Sequence, residues 1–455
     1  MNTHKSWQAS PLYSGSCAPI RPLVYSLVLV SVAIVLTIFA EPTLPTPNTA
    51  ILISTGFICI TIFVWHMKNA STGVLRLVFM LLAVHAIVGF AVAQSSAPAI
   101  VSGTLDDRTF SVSFAIVASG LLAASFAFHL SRPSKGWSPR VDSEKLIRIS
   151  KVMTVAAVAA ILWFYRKNHL LPWDVDILKI GELRYGLAGS DEWLINRSTD
   201  VLTLTIPLLF LFGGWSRVFS LVGFAGLAIT FKRAPILAVV LVAVLANVLR
   251  SGRQAILVLV LGTLLCLYAA SQIFYFGLLD GDIAPDDAYL SVASGLPEVR
   301  DLGWMLWLNK SQLHWGTTFV QPILPIPSFM SPWIQQHSLR ALSSKMIGYD
   351  WEEMGGLRIT LAGEGYLNFG PIGALVLGGI WGWGMRKVSG FSSHAVRSGS
   401  VIDAYLAALL VSWMAFWIYL GGSQASGSVR TASGILFLSL YASRITGDRV
   451  SPASV

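Results

Sequence analysis

The chain has 455 residues, of which 54% are hydrophobic and only 12% charged, with a formal net charge of +9. A soluble domain carries about a quarter charged residues, and several windows here hold about 18 or more apolar residues with no charge, the length that crosses a bilayer. This excludes a soluble enzyme and gives the basic balance no nucleic-acid meaning; an all-α polytopic membrane protein remains, in which the placement of charge carries the information.

Residues 1–21 form a mostly polar tail ending in Arg21. The apolar run from Leu23 to Ala40 lacks an A-x-A-like cleavage pattern, so it reads as a retained first helix. Hydropathy predicts about 12 spans in all. They fall near 22–40, 49–67, 73–93, 110–130, 149–165, 198–214, 216–231, 234–249, 255–279, 366–385, 401–420 and 430–445. Five spans thus fill 22–165, the middle group fills 200–279, and three more fill 366–445, before a short tail at 446–455. The helices between 198 and 249 are short and crowded. With the first end inside, Lys and Arg concentrate in the short inner segments and most carboxylates fall outside. That distribution predicts both termini in the cytoplasm.

Two outer segments are long, 166–199 and 280–365. Loops of that length are uncommon unless they have a function. The larger offers a helical stretch, "LPEVRDLGWMLWLNKSQLHWG", then a proline-rich passage, "QPILPIPSFMSPW". Together the two hold Trp173, Trp193, Trp304, Trp307, Trp315, Trp333 and Trp351 among the 16 tryptophans of the chain. Such residues form an interfacial aromatic belt or a surface on which sugar rings stack, and the sequence leaves both open.

Cys17, Cys59 and Cys266 form no C-x-x-C pair, and there is neither a P-loop nor an H-E-x-x-H helix. No metal, nucleotide or other cofactor is expected. The outer charges are more informative. "FKRAPILAVV" puts Lys232 and Arg233 at the outer ends of two middle spans, "ELRYG" supplies Arg184, "VRDLGW" pairs Arg300 with Asp301, and "SVRTASG" brings Arg430 to the last span. Each is an ordinary loop or snorkelling cation when taken alone. Gathered on one side, they would grip a multiply charged anion, because guanidinium binds phosphate oxygens bidentately. Arg358, Glu364 and Tyr366 in "GGLRITLAGEGYLNFGPIGALVLGG" stand at the threshold of a span, with glycines that permit a sharp turn and close packing. Glu364 there is either a helix N-terminal carboxylate favoured by the dipole or a dehydrated base.

The ordered set resembles that of the bacterial O-antigen polymerases (Wzy-type), including the enterobacterial-common-antigen branch. "KRAPILAVVLV" resembles their basic-residue–alanine span start, and "VRDLGWML" an Arg-Asp element of their large periplasmic loop. "GTTFVQPILPIPSFM" is similar to their proline-rich passage, "ITLAGEGYLNFGPIG" to their membrane re-entry and "SVRTASGILFL" to their last span. The resemblance covers about residues 180 to 440 and departs from the Arg-x10-Gly spacing of some members, since 11 residues separate Arg358 from Gly370. It implies a GT-C-like glycosyltransferase of the bacterial inner membrane whose site faces the periplasm. It further implies polyprenyl-pyrophosphate-linked glycans as donor and acceptor, contact with membrane lipids, and a chain-length regulator as partner. In that frame Arg233, Arg300 and Arg430 stabilise the departing pyrophosphate, supported by Arg184, Lys232, Arg358 and Tyr366. Glu364 or Asp301 takes the acceptor proton, with Asp301 alternatively orienting Arg300. An O-antigen ligase shares this chemistry and differs in its acceptor. A transporter of lipid-linked sugars generally places ionisable groups near the midplane, and here His85 and Asp403 are the main ones within spans.

Overall fold

The computed structural model describes residues 49–67, most of 75–86, 107–134, 141–168, 189–230, 233–251, 298–309, 313–319, 333, 337, 339–346 and 359–443. All regular structure among them is helical. We number the helices α1 (Thr49–Met67), α2 (Asp107–Leu130), α3 (Ser143–Lys167), α4 (Gly189–Phe212), α5 (Ser216–Ile229), α6 (Arg233–Ser251), α7 (Glu298–Asn309), α8 (Leu339–Met346), α9 (Leu361–Ser398) and α10 (Val401–Ala442). The hydropathy spans from 49 to 249 fall on helices wherever they are described. The expected spans at 22–40 and 255–279 and the proline-rich passage, apart from Trp333, lie outside the described residues.

Among the described residues, Ser111–Leu130, Ser143–Lys167 and Trp193–Phe212 are long and apolar enough to cross a membrane. They are used differently. The apolar stretch of α2 is 94% buried, that of α3 only 28%. So α2 is a hub, with α1, α7 and α9 packed on it, while α3 turns Val152, Val155, Leu162 and Trp163 outward. A second cluster joins α3 to α4, α5 and α6 through Ile161, Phe164, Leu202, Ile206, Leu227 and Val239. Near the start of α10, the buried Tyr405 hydroxyl donates to Leu204 O of α4 at 2.8 Å.

Small residues let α2 and α9 approach. A Cβ on Gly378 would land on the Gly120 carbonyl, and one on Gly382 on the Ala124 carbonyl. Advancing four residues on one helix advances four on the other, so the two run parallel with small-x-x-x-small faces opposed. One turn further the Arg386 guanidinium lies over the Phe128 ring, 5.0 Å from its centroid. Arg386 and Lys387 then donate to Ser131 O and Arg132 O at 3.1 and 3.0 Å. At the level of the next helix, Trp381 Nε1 donates to Met414 O of α10 at 2.6 Å, which satisfies the indole that the core encloses.

α9 is two helices. Phe369 (φ −137°, ψ 15°) and Gly370 (φ 66°, ψ −156°) leave helical geometry, and Pro371 follows. Gly365 and Gly373 would be about 12 Å apart along an unbroken helix. Instead a Cβ on either would strike the other's carbonyl. The short arm 361–368 therefore doubles back on the long arm 371–398, where hydropathy predicts a single span near 366–385.

α10 is helical throughout, where two spans are expected near 401–420 and 430–445. As a straight rod its 42 residues would reach about 63 Å. Yet His394 of α9 lies 3.5 Å from Asp403 near its start, Gly390 rests on Ser134, and Asp142 N–H donates to Ser443 O at 2.8 Å. The chain from 134 to 142 spans at most about 29 Å. So the run bends back towards the face on which it begins.

Gly382→Val should destabilise the protein by about 1–3 kcal/mol or more, because the new Cβ meets backbone that cannot rotate away. Gly434, in α10, has nothing within 4 Å of its Cβ position, so Gly434→Ala should be neutral or stabilising by up to about 1 kcal/mol. Thermal unfolding in detergent checks both; equal effects would contradict the α2–α9 packing.

Candidate functional site

The short arm begins on Thr360, whose backbone is extended and whose Oγ1 accepts from Gly363 N at 3.1 Å. It ends only two turns later, at the Phe369–Gly370 break. A helix end exposes carbonyls that no intrahelical N–H can reach. Here a separate segment supplies the donors. His314 N–H donates to Leu367 O at 3.0 Å and Trp315 N–H to Asn368 O at 3.1 Å. Gly316 N–H donates to Asn368 Oδ1 at 2.9 Å. Trp315 and Gly316 both take left-handed backbone, φ 50° and 85°, and this turn delivers three successive amides to the arm's end.

The chain then enters a 3-10 turn, Thr317–Phe319. Thr318 Oγ1 donates to Glu364 Oε1 at 2.9 Å and accepts from Asn368 Nδ2 at 2.8 Å. Asn368 Nδ2 also donates to Glu364 O at 2.8 Å. Asn368 thereby uses both amide hydrogens and its carbonyl. Glu364 and Asn368, four residues apart, share one helix face, and both are fully buried with Thr318. The sequence predicts Glu364 at a lipid–water threshold; the structure encloses it beneath the 313–319 turn.

α7 supplies the other predicted carboxylate. Asp301 is buried, and the neighbouring Leu302 packs against Gly363, whose Cβ position is 3.1 Å from Leu302 Cδ1. The helix carrying Arg300 and Asp301 and the arm carrying Glu364 are thus in contact. Tyr366 is half-buried on the same arm. Arg233 opens α6, Arg300 lies in α7 and Arg430 in α10, with their side chains outside the described residues, as are Arg184, Lys232 and Arg358 altogether. Arg197, another arginine of the 166–199 segment, pairs with Asp200 at 2.8 Å within α4. Asp403 is a first-turn helix residue, its N–H received by Ser400 Oγ at 3.4 Å; His85 lies outside the described residues.

Sequence alone does not single out the partners of Glu364. Glu364-x-x-x-Asn368 is a legible one-face pair, but nothing local assigns it to Thr318, 46 residues earlier. The His314 imidazole sits beside this junction, and burial pushes its pKa below the usual 6.5. Comparisons of the chain with protein-family models, curated proteins and solved structures find no match.

Two expectations follow from this geometry. Thr318→Val keeps the shape but removes the hydroxyl from Glu364 and Asn368, and should cost about 1–3 kcal/mol, with Thr318→Ser restoring most of it. A valine variant as stable as the parent in thermal unfolding would mean that these bonds do not hold the turn. His314 binds its proton less readily folded than unfolded, so its stability contribution is complete above 6.5 and declines as the pH falls through the lowered folded value. The loss of melting temperature between about pH 7.5 and about pH 5.5 should therefore shrink in His314→Gln.

Proposed function

We propose that the chain is a metal-independent glycosyltransferase that polymerises polyprenyl-pyrophosphate-linked oligosaccharide repeats into a surface polysaccharide. On this reading it is a GT-C-like protein of about 12 spans in the bacterial inner membrane, with cytoplasmic termini and a site facing the periplasm. The observation that carries the proposal is the enclosed carboxylate of Glu364 on a doubled-back arm, in contact with the Arg300–Asp301 helix. The motif resemblance supplies the substrate class.

In the proposed reaction an acceptor sugar hydroxyl attacks the anomeric carbon of the donor glycan. The bond from that carbon to the phosphate oxygen breaks, and polyprenyl pyrophosphate leaves with the electron pair. Glu364 takes the hydroxyl proton, as a positioned carboxylate of suitable pKa can. It is covered by Thr318 in the structure, so base function requires the 313–319 turn to shift. Asp301 is the alternative carboxylate for this role or orients Arg300. Arg233, Arg300 and Arg430 offset the charge that develops on the leaving group; such preorganised stabilisation is usually the largest catalytic contribution. Transfer to a lipid A core in place of a second lipid-linked repeat would make the same chemistry that of a ligase.

Purified protein in liposomes, given a defined polyprenyl-pyrophosphate oligosaccharide and no nucleotide sugar, should yield products spaced by one repeat on a gel. Arg233→Ala and Glu364→Ala should each lose at least about 100-fold in rate, the scale of a removed base or charge partner. A ladder that survives in Glu364→Ala would remove it as the base. Movement of intact lipid-linked sugar across the bilayer without a ladder would replace the enzyme by a transporter.

A further inference from the structure

Trp315 is the only non-glycine residue with positive φ among the described residues. A bulky side chain in that region is an outlier, and such backbone tends to persist where function requires it. Its own N–H is fixed on Asn368 O at 3.1 Å, and the neighbouring Gly316 N–H on Asn368 Oδ1 at 2.9 Å. The side chain nevertheless stands 74% exposed. An indole that merely anchors at a membrane surface needs the right depth, not a constrained backbone. Trp307 and Trp333 are exposed without a positive φ. Phe369 adds a second exposed ring at the turn, its Cζ 3.1 Å from the Gly316 Cβ position and its face stacked on Phe319 with centroids 6.4 Å apart. His314, half-buried, immediately precedes Trp315 in the chain. A flat apolar face held on a constrained turn matches the apolar C–H face of a pyranose.

We propose that Trp315 is a stacking platform for a pyranose ring of the bound glycan, held over the turn that covers Glu364. This rests on the glycan-handling reading above and adds where the sugar is gripped. The strain also separates binding from folding. Trp315→Gly relieves the left-handed backbone, so it should melt no lower than the parent while losing the platform.

The test uses the full-length protein in liposomes. Subtracting the emission of Trp315→Phe from that of the parent isolates the Trp315 signal. The probe is the soluble oligosaccharide released by mild acid from the lipid-linked repeat of the producing bacterium. Acrylamide should quench the Trp315 emission, the oligosaccharide should shield it, and brominated phospholipid should leave it unchanged. Quenching by brominated lipid, or no shielding by the oligosaccharide, would overturn the platform. In the ladder assay, Trp315→Gly should raise the glycan KM about five- to ten-fold with kcat within about two-fold. An unchanged KM would also overturn it while leaving polymerase chemistry intact. Shielding by the oligosaccharide without any ladder would keep the sugar site and remove the polymerase reading.

Discussion

A helix that stops inside an apolar bundle leaves backbone carbonyls without donors, and the rest of this structure is arranged around answering that need. The short arm ends at Asn368, where Phe369 and Gly370 leave helical geometry. Buried, unpaired carbonyls cost about as much as lost hydrogen bonds, and no water-filled space is required here because the 313–316 segment donates its amides directly. One constraint therefore ties together two segments about fifty residues apart. Once they are joined, the side chains follow: Thr318 meets Glu364, and Asn368 bridges both. The carboxylate is buried because its partner arrives with the cap.

The doubled arm depends in turn on residues without side chains. Gly365 and Gly373 let the two arms touch, and Gly378 and Gly382 let the long arm touch α2. α2 also meets the arm directly, where Gly120 faces Ala362. The arm thus touches both α2 and α7, whose Leu302 lies on Gly363. In the proposed reaction this chain of contacts is how a carboxylate covered at rest would be uncovered together with the Arg300–Asp301 helix.

Much of the frame is legible in the sequence, for a physical reason. Long uncharged apolar runs have no alternative to helix in an apolar surrounding, so α1 to α6 overlap the runs that hydropathy marks, although α4 starts at Gly189, inside the expected outer segment 166–199; the helix in "PEVRDLGWMLWLN" follows from its amphipathic spacing. What hydropathy averages away is direction. It cannot register that Phe369–Gly370–Pro371 reverses the chain within one apolar run, although glycine before proline marks a break. Nor can it fold back α10. At the site, Glu364 and Asp301 stand out as carboxylates beside apolar runs, whereas Thr318 looks ordinary and Trp315 is one loop tryptophan among seven. Their roles arise from pairing across a long, proline-rich loop, which no local periodicity encodes.

In the proposed reaction the glycan lies at the junction of the 313–319 turn with the short arm, beside Trp315 and over Glu364. The most direct measurement is photocrosslinking with a lipid-linked oligosaccharide carrying a diazirine on its sugar, followed by peptide mapping by mass spectrometry. The account predicts adducts on the peptides that contain 313–319 and 361–373, suppressed by unlabelled glycan. Adducts confined to other helices, with neither of those peptides labelled, would contradict it.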